Sequence, residues 1–256
     1  MELMEFLYRV MEELSEAGVP IVFKGAMVLN LAIQENNPSK VERLTRDIDG
    51  DWIGDGPTMG QMKDTLETAV KKVDASLNVE IYREFGDKKS AGFKILNENG
   101  EKIASIDLSV RKNEFSQPYL SYVNDVSITG ASLDKMLSDK LYAVSDKGVC
   151  RRVKDLVDIY VISFITECSV QRLNDIWERT GRKLGDFTEF REKMSEIAIA
   201  YEKMTGIKNK PDFFELYTRL SEFLYPFLYP ERSRHAEWTK TGWKGIESQS
   251  RDGRSR

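Results

Sequence analysis

The residues best suited to chemistry lie in Arg46-Asp47-Ile48-Asp49-Gly50-Asp51-Trp52, where strand alternation sends Asp47, Asp49 and Asp51 to one face and Ile48 and Trp52 to the other. Alternate strand positions sit about 6.5–7 Å apart at Cα, so Asp47 and Asp49 can converge on one divalent ion. A calcium loop is excluded, because counting from Asp47 its sixth and twelfth positions require Gly and Glu and hold Trp52 and Thr58. The bland alternative is a solvated edge strand whose acids guard against aggregation. A third acid belongs to Ile103–Val110, where Ala104, Ile106, Leu108 and Val110 form an apolar face and Ser105, Asp107 and Ser109 the opposite one. Laid beside Arg46–Ile53, that strand would add Asp107 and complete the three-carboxylate cluster with which two magnesium ions bridge a nucleotide's phosphates.

Three further places could serve an anion. Phe23-Lys24-Gly25-Ala26 joins a strand to an uncharged helix, and glycine there lets phosphate oxygens reach backbone N–H groups at the positive helix end, with Lys24 adding charge. A tight turn explains the same residues. Lys140 occupies the central slot of an apolar stripe formed by Leu133, Met136, Leu137, Leu141 and Val144. A lysine so placed needs an anionic partner, a triphosphate for example, or snorkels to water. In Arg151–Asp158 the acids Asp155 and Asp158 lie off the stripe of Val153, Leu156, Val157, Tyr160, Val161 and Phe164, where i,i+4 pairs with Arg151 and Lys154 account for them equally well.

The elements that must position these groups change character near residue 130. The first part alternates: a helix through Leu3, Phe6, Leu7, Val10, Met11 and Leu14, a strand over Val19–Phe23, a buried helix over Ala26–Ile33, a loop over Gln34–Lys40 and the Arg46–Ile53 strand. A helix over Thr65–Leu77 and strands over Val79–Phe85, Gly92–Leu96 and Ile103–Val110 follow, the last two joined through Asn97-Glu98-Asn99-Gly100. From Ser132 the pattern is helical: Leu133–Ser145, Arg151–Ile165, Val170–Arg179, Phe187–Met204 and Phe213–Leu228. This predicts an α/β (α+β) domain over 1–130, an all-helical domain over 131–230, and a flexible basic tail over 231–256.

Composition removes several chemistries. The 256 residues carry 38 Lys plus Arg against 42 Asp plus Glu, a net charge of −4, so a nucleic acid must meet a local patch rather than a global positive field. One candidate patch is Lys140, Lys147, Arg151, Arg152 and Lys154 with the Arg-rich tail from Arg232. A lone histidine, His235, provides no two-histidine metal site, and Cys150 and Cys168 form no Cys-x-x-Cys. Acidic residues interrupt the N-terminal apolar run and no window approaches a membrane span, so a cytoplasmic protein without membrane partners is expected.

Lys24-Gly25-Ala26, Leu44-Thr45-Arg46-Asp47-Ile48-Asp49, Ile106-Asp107-Leu108, Ser138-Asp139-Lys140-Leu141 and Arg152–Tyr160, in that order, resemble the nucleotidyltransferases of the AbiEii/AbiGii toxin type and the related MenT-like toxins. The resemblance implies a polymerase β-like nucleotidyltransferase domain with a mixed sheet, followed by helices. It implies a magnesium-dependent enzyme that moves a nucleoside monophosphate from a nucleoside triphosphate to a hydroxyl acceptor, as the toxin of a toxin–antitoxin or abortive-infection system with a cognate antitoxin. The acceptor it implies is RNA, best attested at tRNA 3′ ends, or a protein serine or threonine. Carried over by position, Asp47, Asp49 and Asp107 hold metal, Lys24, Gly25, Ala26 and Arg46 meet the nucleotide, Lys140 contacts the triphosphate and Asp155 is a further active-site acid. Ala26 replaces the family's usual second glycine or serine and brings a backbone N–H without a hydroxyl, and Asp51 matches no family role. The alternative is a catalytically weak nucleotide-sensing or partner-binding module on the same fold.

Overall fold

A computed structural model describes residues 1–36, 41–84, 90–110 and 112–246. The chain forms two compact units, one from residues 1–132 with 206–208, the other from 133–205 with 209–256.

The first unit opens with α1 (Leu3–Glu16), whose helically spaced Phe6, Leu7, Val10, Met11 and Leu14 are all buried. β1 (Ile21–Lys24) runs without a loop into α2 (Gly25–Asn36), in which every residue from Ala26 to Ile33 is buried, as expected of an uncharged helix. The helix continues through Gln34–Asn36, where a loop is predicted; the rest of that loop lies outside the described residues. After β2 (Glu42–Arg43) and β3 (Asp47–Trp52) comes α3 (Met59–Val73), which begins six residues before the predicted Thr65. The start is set by a capping box: Thr58 accepts from the Gln61 N–H while the Gln61 side chain accepts from the Thr58 N–H.

Then follow β4 (Asn78–Arg83), β5 (Ser90–Leu96), β6 (Lys102–Val110), β7 (Ser116–Leu120) and β8 (Ser127–Ala131). Phe85, assigned to a strand from sequence, is outside the described residues. The seven-stranded sheet has the order β4-β5-β6-β3-β1-β8-β7 and is mixed, with β3–β6 and β1–β8 parallel and the remaining pairs antiparallel. One face buries Ile48, Trp52, Phe93, Ile95, Ile106 and Leu108, side chains that each stabilise by about 1.5–3 kcal/mol when fully buried. α3 packs on β4 and β5, and α1 packs on α3 and β8.

The second unit holds α4 (Leu133–Val144), α5 (Val153–Ile165), β9 (Cys168–Ser169), α6 (Val170–Arg179), α7 (Thr188–Glu192) and α8 (Met194–Glu202). β10 (Ile207–Lys208) belongs to the first unit and pairs with β2, after which α9 (Phe213–Leu228), β11 (Glu237–Trp238) and β12 (Trp243–Lys244) complete the chain. Three expectations are corrected here. The unit is not all-helical, since β12-β11-β9 form a small sheet, and the helix predicted over 187–204 divides at Lys193. Nor is the segment 231–246 a loose tail. Trp238 is buried, its indole N–H donates to the Ser163 carbonyl at 2.8 Å, and Trp243 donates to the Phe223 carbonyl at 3.0 Å. Two tryptophans anchor a stretch whose average composition suggests solvation; residues 247–256 of the predicted tail lie outside the described residues. No helix among the described residues is long and apolar enough to cross a membrane.

Candidate active site

Strand register builds the candidate site. β1, β3, β6, β5 and β4 place Lys24, Asp49, Asp107, Gly92 and Arg83 in one transverse row, each paired with the next. Adjacent strands are about 4.8 Å apart, so Asp49 and Asp107, register partners on parallel strands, project side by side from the same face. Asp47 pairs with Ser105 one pleat repeat away, and Asp51 with Ser109 one repeat in the other direction.

Gly25 closes this row at the start of α2. Its φ is +76°, and a Cβ there would lie 2.6 Å from Asp49 Oδ2. Both the left-handed backbone and the carboxylate's approach therefore require glycine. The first amides of a helix have no intrahelical acceptor, so α2 presents N–H groups and a positive dipole end beside Asp49. Ala26 is buried, its methyl in the core.

Each acid has protein partners. Asp47 accepts from the Ser105 hydroxyl. Asp107 Oδ1 accepts from the Tyr82 hydroxyl at 2.9 Å and from Arg83 Nη2 at 2.5 Å. Partial burial pushes the Tyr82 hydroxyl pKa up, and its bond to Asp107 adds to the rise, so the phenol remains a proton donor at neutral pH. Asp51 is 4% exposed and binds Lys24 Nζ at 2.5 Å and Asn113 Nδ2 at 3.1 Å. Lys24, expected from sequence to face a phosphate, is thus directed to Asp51, while Arg46 is exposed and its carbonyl accepts from the Ser105 N–H at 2.9 Å.

Among the described residues no three His, Cys, Asp or Glu side chains are gathered as a ligand set. The placement nonetheless fits a hard divalent cation: the candidate donors are carboxylate oxygens, the preferred chemistry for magnesium, and two of them are direct register neighbours next to a helix start that would receive phosphate. Asp107 would have to turn from Arg83 and Tyr82, a modest demand because exposed ion pairs such as Arg83–Asp107 contribute about 0–1 kcal/mol.

Lys140 and Asp155 lie in the second unit and pair with each other. Lys140 Nζ is 2.6 Å from Asp155 Oδ1 and 2.7 Å from Asp158 Oδ2. Asp158, placed off the buried stripe by sequence, is fully buried, because α5 is enclosed on nearly every side. Burial opposes the Lys140 charge, but Asp158 and Asp155 outweigh it and raise the ammonium pKa above its ordinary value. Lys147, Arg151, Arg152 and Lys154 are exposed, and Arg152 Nη1 lies 3.7 Å from Asp155. Arg232 is half-buried, at 4.0 Å from Glu231. Sequence reasoning missed Tyr82, Arg83 and Asn113. The available signal was Gly92 at the head of the Gly92–Leu96 strand, since a strand glycine marks close approach by another group; that group is the Tyr82 ring.

The sequence matches the family model described as "Nucleotidyl transferase AbiEii toxin, Type IV TA system" over residues 5–222. No curated protein matches it. Among solved structures, JHP933 from Helicobacter pylori is similar with a TM-score of 0.56 at 14% identity, covering 88% of this chain and 90% of that one. MenT4, a nucleotidyltransferase toxin from Mycobacterium tuberculosis H37Rv, is similar with a TM-score of 0.50 at 12% identity, covering 89% of this chain and 83% of that one. At such identities these likenesses establish a common fold.

Proposed function

The chain belongs to the AbiEii family of nucleotidyltransferase toxins, and from that premise we propose that it transfers a nucleoside monophosphate from a nucleoside triphosphate to a hydroxyl group of RNA, such as a tRNA 3′ end, or of a protein. The observation that carries this reading is the pairing of Asp49 with Asp107 on parallel strands, beside the helix start at Gly25.

Asp47, Asp49 and Asp107 would hold magnesium, which when bound supplies charge neutralisation on the phosphates and a lowered pKa for the attacking hydroxyl. The amides at Gly25 and Ala26 receive phosphate oxygens and fix the triphosphate for in-line attack. Asp107 accepts the proton as the acceptor oxygen bonds to the α-phosphorus, and the bond from that phosphorus to the bridging oxygen breaks, releasing pyrophosphate. Asp51 holds Lys24 beside Asp49, so that its positive charge lies next to the acids. Lys140 is assigned to the triphosphate, and Asp155 as a further active-site acid, on the family pattern alone. A cognate antitoxin is the implied partner.

The test is incubation with each α-labelled triphosphate, magnesium and total tRNA or cell extract. Label should appear on a macromolecule with the unaltered protein and fall by more than 100-fold with Asp49→Asn, several kcal/mol of lost transition-state stabilisation. Equal labelling by both proteins would refute the assignment.

A further inference from the structure

On the face that carries Asp107, Tyr82 lies across Gly92: a Cβ on that glycine would fall 2.6 Å from the ring's Cζ, 2.7 Å from Cε1 and 2.8 Å from the hydroxyl oxygen. The hydroxyl is tied to Asp107, which fixes the ring, and yet Tyr82 remains 42% exposed. Three cations surround it, with Arg83 Cζ and Lys94 Nζ each 5.6 Å and Lys102 Nζ 5.9 Å from the ring centroid. Arg83 is committed to Asp107, which leaves Lys94, with Glu80 in register beside it, and Lys102 as the cations that can turn to an outside anion. An immobilised aromatic plane, bordered by lysines and one hydrogen bond from the acid row, combines the two features that recognise single-stranded nucleic acid: a stacking surface for a base and charge for its phosphates. β4 is an edge strand, but a peptide added there would pair along its backbone and would not stack on the ring.

We propose that Tyr82, with Lys94 and Lys102, forms a subsite for single-stranded RNA, the base stacking on the ring and the flanking phosphates passing the lysines. The inference rests on the transferase reading only in naming this strand the acceptor. Stacking at Tyr82 sets the terminal hydroxyl near Asp107, and it makes Tyr82 a binding residue for the acceptor rather than for the triphosphate. The formal charge of −4 is compatible with this, because the contact is local.

The experiment is equilibrium binding of a short fluorescent single-stranded oligoribonucleotide in EDTA, where no transfer occurs, to the full chain and to Tyr82→Phe, Tyr82→Ala and Lys94→Ala/Lys102→Ala. Tyr82→Ala should weaken binding about 5- to 100-fold, whereas Tyr82→Phe, which keeps the ring, should stay within about twofold. The lysine pair should flatten the slope of log affinity against log salt by about 1.4, or about 0.7 for each lost phosphate contact. All variants should melt close to the unaltered protein, since Tyr82 and Lys102 are exposed and Lys94 is half-buried. Binding unchanged in Tyr82→Ala would overturn the proposal, and so would a loss confined to triphosphate affinity. Tyr82-dependent strand binding without any label transfer would refute the transferase reading and uphold the subsite. Label transfer to protein with no strand binding would do the reverse.

Discussion

Replacing Gly25 by alanine perturbs the site at one atom, and the consequence can be worked from geometry. Alanine at φ +76° incurs left-handed strain of about 1–2 kcal/mol. Its Cβ would also stand 2.6 Å from Asp49 Oδ2, whereas ordinary contact begins at 3.4 Å, so the carboxylate must retreat by about 0.8 Å. Gly18 offers an internal control, because its φ is +67° but nothing lies within 4 Å of an added Cβ. Gly18→Ala therefore carries the backbone strain without displacing Asp49. Gly18→Ala should lose about 1–2 kcal/mol in urea unfolding and Gly25→Ala at least as much. Only Gly25→Ala should lose transfer activity, by about 10- to 100-fold, given that a misplacement near 1 Å can cost about 100-fold. The assay is label transfer at saturating triphosphate, with both proteins shown folded. Equal activity of the two variants would refute the claim that Gly25 exists to admit the Asp49 carboxylate.

The second unit gives three further tests. Lys140→Met leaves Asp158 buried without its cation and should destabilise by on the order of 3–5 kcal/mol in urea unfolding, while Lys140→Met/Asp158→Leu should recover much of that loss; equal losses would deny that the pair is coupled. Burial, reinforced by Asp134, pushes the Cys168 thiol up to about 12 from an ordinary value of 9.0. Its neutral form is favoured by folding, so the contribution is complete below pH 9 and is lost as pH rises toward 12. By pH 10 the unaltered protein should have lost about 1.4 kcal/mol relative to Cys168→Ala, read from unfolding midpoints, and parallel pH profiles would contradict this. Trp238→Ala should destabilise by about 3–5 kcal/mol, as a buried anchor does; a change below 1 kcal/mol would restore the loose-tail expectation for 231–246.

The acids were legible because strand alternation is local: Asp47, Asp49 and Asp51 must share a face wherever Arg46–Ile53 is extended. The helices α1 and α2 were legible for a similar reason, one from its stripe and the other from its lack of charge. The structure departs from the sequence reading where partners come from afar or where a local signal competes. β7 and β8 carry Pro118 and Gly130, which argue against strands, but β7 is an edge strand, where proline is tolerated. The start of α3 is set by Thr58 and Gln61, a capping pair that lies ahead of the helical spacing read from Thr65. Helical spacing offered Asp158 a surface lysine one turn away, and its partner is Lys140 on another helix. Likewise nothing within Val79–Arg83 shows that Tyr82 and Arg83 reach Asp107, because that row exists only once β4, β5 and β6 are in register.

The central claim is that Asp49 and Asp107 act on one magnesium–triphosphate complex. Calorimetric titration of magnesium with a non-hydrolysable triphosphate into the unaltered protein, Asp49→Asn, Asp107→Asn and the double variant tests it directly. Shared coordination predicts that each single replacement weakens magnesium-dependent binding by about tenfold or more, and that the double loses less than the product of the two, as residues acting as a unit do. Losses that multiply independently, or an Asp107→Asn protein that binds like the unaltered one, would contradict it.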